Sequence, residues 1–483
     1  MQKSEKTHQI VVDRRPLWIV IVDRLRRPIL LTLFFAAFLL LLNLEGPKDL
    51  SPDGYKVLCV FLLCVTLWAT NLIPLSVTSL LVMALIPLLG IMPASQAYSF
   101  FGNKAVFFIL GAFILSAAMI GCGLSTRLSL WVMEHWGKTP RKLISSVYFF
   151  GAVGSCFMSE HAVAAMMFPI LLGIVDSLNL KKKESVFGKA LFFSMSWGCI
   201  IGGAMTVLGG GRVPLAMELL EKTTLGESTL GILQYTYLSY PLVLLLLACG
   251  WLVLISLFPP DLENIQAAQE VLLEKSHKLG PTTFQEKGIA FVMALTIFAW
   301  FGYGSKLGIA NIAILSLVLL FSFNLINWKM VEHHINWAII LMYGGAICLG
   351  EVMQTSGAAL WVSQHIFEGT VQSGTVFLIA IAFLSMILTT FMSNSAVIAI
   401  LMPPAISMCA EYGISPALVT MTVILPSNFA FSLPIATPAS ALAYSSRFIT
   451  IGEMIKAGTL LGLLGMGCYL LLLLVYWPII GFK

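Results

Sequence analysis

Two stretches decide how this chain reads: Met158-Ser-Glu-His-Ala-Val-Ala-Ala-Met-Met-Phe-Pro169 and Met392-Ser-Asn-Ser-Ala-Val-Ile-Ala-Ile-Leu-Met-Pro403. Aligned without a gap, they share Met, Ser, Ala, Val, Ala and Pro at corresponding positions. Each sets a small polar triplet, Ser159-Glu160-His161 or Ser393-Asn394-Ser395, between long apolar segments. Polar groups at membrane depth are costly and mark sites of function.

The surrounding 483 residues are 58% hydrophobic and 11% charged, with a mean hydropathy of +0.92, which excludes an ordinary soluble domain. Long runs of helix formers predict an all-α polytopic membrane protein rather than an outer-membrane barrel. The nine cysteines include no C-x-x-C pair and read as small core residues, not as a metal or disulfide framework. No nucleic-acid signal is present, and no H-E-x-x-H or G-x-S-x-G motif suggests a membrane-embedded enzyme.

Apolar spans near 28–45, 54–71, 75–92, 104–122, 237–258, 288–303, 306–325, 337–353 and 456–478 have the length of single crossings. Segments 143–176 and 375–410 are about twice that length and are interrupted by the triplets, the pattern of re-entrant hairpins. Segments 186–211 and 417–446 are interrupted by Gly209-Gly210-Gly211 and by Ala436-Thr437-Pro438, the pattern of broken helices. The order hairpin then broken helix occurs twice, at a separation of about 230 residues, as in secondary transporters built from repeats. The domains expected are residues 1–53, an N-terminal cytoplasmic segment and first helix; 54–258, the first repeat; 259–286, a linker helix; and 287–483, the second repeat.

Basic residues set the orientation. Lys3, Lys6, Arg14, Arg15, Arg24, Arg26 and Arg27 precede the first span, and Lys138, Arg141, Lys142, Lys181, Lys182, Lys183, Lys189, Lys275, Lys278, Lys287 and Lys329 fall in loops of one face. The opposite face keeps few, among them Lys48, Lys222 and Lys306. The positive-inside rule then predicts a cytoplasmic N-terminus in the inner (plasma) membrane, about eleven crossings and inverted repeats.

Tips and breaks are polar interruptions at one depth and are expected to converge. Helix N-termini there suit an anion, while carbonyls and hydroxyls suit sodium. Paired hairpins in inverted halves suit a closed midplane site better than a channel.

Trp68-Ala-Thr-Asn-Leu-Ile-Pro-Leu-Ser-Val-Thr78, Ser393-Asn394-Ser395 and Leu433-Pro-Ile-Ala-Thr-Pro438 resemble the divalent anion/sodium symporter (DASS) family of dicarboxylate, citrate and sulfate carriers. The resemblance runs from about residue 54 to 478. It implies a sodium-coupled, elevator-type homodimer without an organic cofactor. It implies further that Thr389, Met392, Asn394 and Ala436 hold sodium, and that Ser393, Asn394, Ser395, Thr437 and Pro438 face the substrate.

The first half departs from the family pattern. Ser155, Ser159, Glu160 and Gly209 take the sodium positions, and Ser159, Glu160, His161, Gly210 and Arg212 take the substrate positions. Glu160 and His161 stand where asparagine and threonine are usual, and Gly209-Gly210-Gly211-Arg212-Val213 replaces Gly-Thr-Pro-Pro-Asn.

Glu160 reads as a sodium ligand, a proton carrier, or a structural partner of Arg212 or His161. Arg212 reads as a planar anchor for carboxylate, sulfonate or sulfate, or as an interfacial arginine reaching headgroups. His161 reads as a satisfied core residue or as a substrate or proton contact. Glu351, Gln354, Asn428, Ser194 and Ser196 read as packing groups. The function expected is secondary transport of a small anion coupled to sodium, the alternative being a proton-coupled or uncoupled exchanger of the same fold.

Overall fold

The computed structural model describes residues 17–367 and 373–482, so Lys3, Lys6, Arg14 and Arg15 lie outside the described residues. Every regular element among the described residues is helical. The described residues divide into two compact units, before and after the boundary between Gly46 and Pro47. The first contributes α1 (Leu17–Leu42), in which Pro28 is accommodated.

The second unit begins with α2 (Pro52–Thr70), α3 (Leu75–Leu88), α4 (Lys104–Gly121) and α5 (Leu124–Trp136). A first helix pair follows, α6 (Pro140–Phe157) and α7 (Glu160–Ser177). Next come α8 (Val186–Gly202), a non-helical stretch over 203–211, α9 (Arg212–Thr223) and α10 (Ile232–Leu257). The linker helix α11 (Gln266–Lys278) leads to α12 (Phe284–Leu307), α13 (Ile309–Ser322), α14 (Trp337–Thr355) and α15 (Ala358–Phe367). A second helix pair, α16 (Gly374–Phe391) and α17 (Asn394–Ser407), precedes α18 (Pro416–Ile424), a break, α19 (Pro438–Ser445) and α20 (Ile451–Leu471).

Local sequence explains many of the starts. Ser51-Pro52, Thr139-Pro140, Ser415-Pro416 and Thr437-Pro438 each place a hydroxyl at the N-cap, accepting from an N–H of the first turn, and a proline at N1 where no N–H is needed. Thr283 with Glu286 and Thr450 with Glu453 form complete capping boxes. Each helix pair breaks where two residues leave helical geometry. Met158 and Met392 are extended, at φ/ψ of −135/161° and −136/170°, and Ser159 and Ser393 follow as N-caps.

Polarity runs opposite to that of a soluble protein. Phe291, Phe298, Leu244, Leu252, Leu315 and Leu463 are exposed, whereas Glu160 and Arg212 are buried. Exposed apolar surface on long apolar helices is what a lipid solvent selects. Among the described residues, nine helices are long and apolar enough to cross a membrane, while α3, α8, α13 and α17 are shorter apolar helices.

The two halves interlock. Helix α9, after the first break, packs on α17 of the second pair, and α19, after the second break, packs on α7 and α8. The Asn428 amide nitrogen donates to the Ile200 carbonyl at 2.7 Å, and Ser196 meets Ser440 at 3.4 Å. Ser407 donates to Gln354 at 3.0 Å. Asn428, Ser196 and Gln354 thus act as interhelical contacts, because a buried amide or hydroxyl among apolar helices needs a partner.

Candidate functional site

A cavity of about 170 Å³ lies where the two helix pairs and the two breaks meet. From the first half it is lined by Glu160, His161, Gly210 and Arg212. From the second half it is lined by Ser393, Asn394, Ser395, Ala436, Thr437 and Pro438. Ser155, Ser159, Gly209, Thr389 and Met392 fall outside the lining. The remaining wall, absent from the sequence reading, comes from Leu75, Asn336, Ala338, Ile339 and Met342. Asn336 carries a readable signal, since it caps α14 by accepting from the Ile339 N–H.

Six helices begin at this cavity: α3, α7, α9, α14, α17 and α19 each supply a first or capping residue. A helix start carries unsatisfied N–H groups and about half a positive charge, and favours an anion by roughly 0.3–1 kcal/mol, up to about 2 when partly buried. The chain has therefore placed the positive ends of six dipoles around one small space.

In the first half, the Glu160 backbone N–H donates to the Gly209 carbonyl at 2.9 Å, tying the tip of the helix pair to the break. Arg212 Nη1 donates to Glu160 Oε2 at 3.1 Å, and His161 Nδ1 lies 3.6 Å from Glu160 Oε1. Arg212, not His161, is therefore the hydrogen-bonded partner. Arg212 is 2% exposed, which does not fit an arginine reaching headgroups. Its Nε and Nη2 are buried without hydrogen-bond partners. Buried donors without partners are costly, so these two are held ready for an acceptor.

Glycine makes room for this pair. A Cβ at Gly203 would stand 2.6 Å from Glu160 Oε2, one at Gly209 would overlap the Gly203 carbonyl, and one at Gly210 would stand 2.8 Å from Arg212 Nη1. Tyr343 on α14 donates to the Gly211 carbonyl, holding the break against the wall.

The second half is neutral. Thr389 Oγ1 lies 2.8 Å from Asn394 Oδ1 and 2.7 Å from the Ser427 carbonyl. Ser393 accepts from the Ala396 N–H at 3.3 Å, and Thr437 accepts from the Ser440 N–H at 3.2 Å. These uncharged oxygens fit a sodium ion. The Ser427 carbonyl was not part of the expected set. A backbone oxygen carries no residue-type signal, so only the fold could reveal it. The first-half set fits sodium poorly, because its carboxylate already bears a guanidinium.

Residues 26–482 match the family described as the sodium:sulfate symporter transmembrane region. The chain belongs to that family. Sodium-dependent dicarboxylate transporters SdcS of Staphylococcus saprophyticus and of a Staphylococcus aureus strain are 27% and 26% identical to it. The matches span 92% and 97% of this chain and 90% and 96% of those proteins. Two solved structures share the fold. The Alcanivorax borkumensis YdaH transporter has a TM-score of 0.54 at 16% identity, over 80% of this chain and 87% of that one. Neisseria gonorrhoeae MtrF, described within a class of antimetabolite efflux pumps, has a TM-score of 0.57 at 13% identity, over 78% of this chain and 82% of that one. Family membership makes this protein a multi-pass secondary anion transporter and not an enzyme.

Proposed function

We propose that the protein carries a small dianion across the plasma membrane, coupled to sodium, by elevator-type alternating access within a homodimer. The observation that carries this reading is the convergence of six helix starts and the unpaired Arg212 donors on one cavity. Arg212 binds one end of the anion through its planar fork. Ser393, Ser395 and Thr437 receive the other end. The short dicarboxylate class is favoured by the name of the Staphylococcus relatives, sodium-dependent dicarboxylate transporters. Sulfate, also a dianion, and sulfonates, which present a similar oxyanion head with a single charge, form the remaining panel.

Thr389, Asn394 and the Ser427 carbonyl, with Met392 and Ala436 nearby in sequence, hold sodium, which supplies the gradient that drives uptake. Glu160, with its carboxylate engaged by Arg212, serves as a counter-ion and not as a proton carrier. The pairs α6–α7 and α16–α17 are read as re-entrant hairpins entering from the cytoplasmic and outer faces. The same reading takes about eleven crossings, inverted repeats 54–258 and 287–483 and, from the basic residues ahead of the first span, a cytoplasmic N-terminus.

Uptake of radiolabelled succinate, sulfate and a sulfonate into proteoliposomes, with sodium, pH and potential gradients imposed one at a time, tests this. Sodium-driven accumulation of at least one anion is expected. Uptake indifferent to sodium, or driven by the pH gradient, would overturn the coupling.

A further inference from the structure

We infer that the first half-site takes no coupling cation, because the Arg212 guanidinium stands where one would bind, and that a single sodium accompanies each dianion, held by the second half. This rests on the sodium-coupled reading above and specifies its stoichiometry.

The gapless alignment pairs Ser155 with Thr389, Ser159 with Ser393 and Glu160 with Asn394. The paired positions have unlike surroundings. Thr389 Oγ1 has one proton for two acceptor oxygens, Asn394 Oδ1 at 2.8 Å and the Ser427 carbonyl at 2.7 Å, so this corner is neutral and rich in oxygen. Such a set of uncharged oxygens suits a monovalent cation.

In the first half the same corner is already electrically complete. Glu160 Oε2 takes Arg212 Nη1 at 3.1 Å, and the Gly209 carbonyl takes the Glu160 N–H at 2.9 Å. Ser155, fully buried, lies beside the Cys199 thiol. A thiol is a soft group and a poor neighbour for a hard cation. A sodium ion placed beside Glu160 would also meet a like charge in a desolvated space, where repulsion is strong. Gly203 and Gly210 shape the space for a guanidinium, since a Cβ at either would meet the ion pair. One buried arginine thus neutralises Glu160 through Nη1 and keeps Nε and Nη2 for the anion.

The consequence is a charge balance. One dianion with one sodium moves a net negative charge inward, so an inside-negative potential retards uptake; two sodium ions would make the cycle neutral, and three would reverse the sign.

The test is the ratio of ²²Na⁺ to labelled anion taken up by the wild-type protein in proteoliposomes, using whichever of succinate or sulfate it transports, together with equilibrium ²²Na⁺ binding to the purified protein. Equal uptake of sodium and anion, slower uptake at inside-negative potential, one bound ²²Na⁺ per wild-type protein, and about tenfold weaker ²²Na⁺ binding in Thr389→Ala are expected. A ratio of two or more, or a bound sodium whose affinity Thr389→Ala leaves unchanged, overturns the inference while leaving sodium coupling intact. Anion uptake with no sodium bound or moved overturns both this inference and the coupling proposed above. The wild-type ratio decides the matter even if the variant does not fold.

Discussion

The two tips, Ser159-Glu160-His161 and Ser393-Asn394-Ser395, occupy equivalent places in a repeated element order, yet they solve the same physical problem differently. Both must satisfy polar groups among apolar helices. The second does so with neutral oxygens: Thr389 bridges Asn394 and the Ser427 carbonyl, and Ser393 caps its helix. The first does so with charge: Glu160 and Arg212 neutralise one another, and Ser159 makes no side-chain cap. An amide changed to a carboxylate therefore does not act alone. It requires a cation, and the glycine-rich break supplies the space for one.

Arg212→Ala leaves Glu160 buried and unpaired. It should lower stability by about 3–5 kcal/mol, read as thermal unfolding in detergent, and abolish uptake. Combining it with Glu160→Gln should recover most of the stability and none of the uptake, because the stability loss comes from the orphaned charge and the transport loss from the missing anchor.

Gly209→Ala presses a methyl group onto the Gly203 backbone and should destabilise by about 1–3 kcal/mol in the same unfolding assay. Thr389→Ala removes one oxygen of the neutral corner. It should raise the half-saturating sodium concentration about tenfold, near 1.4 kcal/mol, while leaving anion affinity at saturating sodium within about twofold. The serines separate the tips most finely. In the substrate-free protein Ser393→Ala should cost about 1 kcal/mol through its lost cap, and Ser159→Ala less than about 0.5, since Ser159 accepts no capping bond.

Much of this was legible in the sequence, for identifiable reasons. The breaks at Met158-Ser159 and Met392-Ser393 announce themselves because the flanking residues match across the repeat. Gly209-Gly210-Gly211 and Ala436-Thr437-Pro438 announce themselves because glycine and proline interrupt apolar helices. What stayed hidden depends on distance. Glu160 and Arg212 are 52 positions apart, and no local pattern chooses Arg212 over the adjacent His161 as the hydrogen-bonded partner. The wall formed by Leu75, Ile339 and Met342 is apolar and reads like any other part of a membrane helix. The Ser427 carbonyl belongs to the backbone, which every residue shares.

The most direct test of the account is binding of the transported labelled anion, at saturating sodium, to the Glu160→Gln/Arg212→Gln double variant. This change neutralises the ion pair while keeping hydrogen-bonding groups of similar size, so the fold should survive. A loss of affinity of at least about 100-fold, close to 2.7 kcal/mol, is expected, with sodium binding retained. Affinity within about twofold of the wild type would contradict it and place the anion's anchor elsewhere.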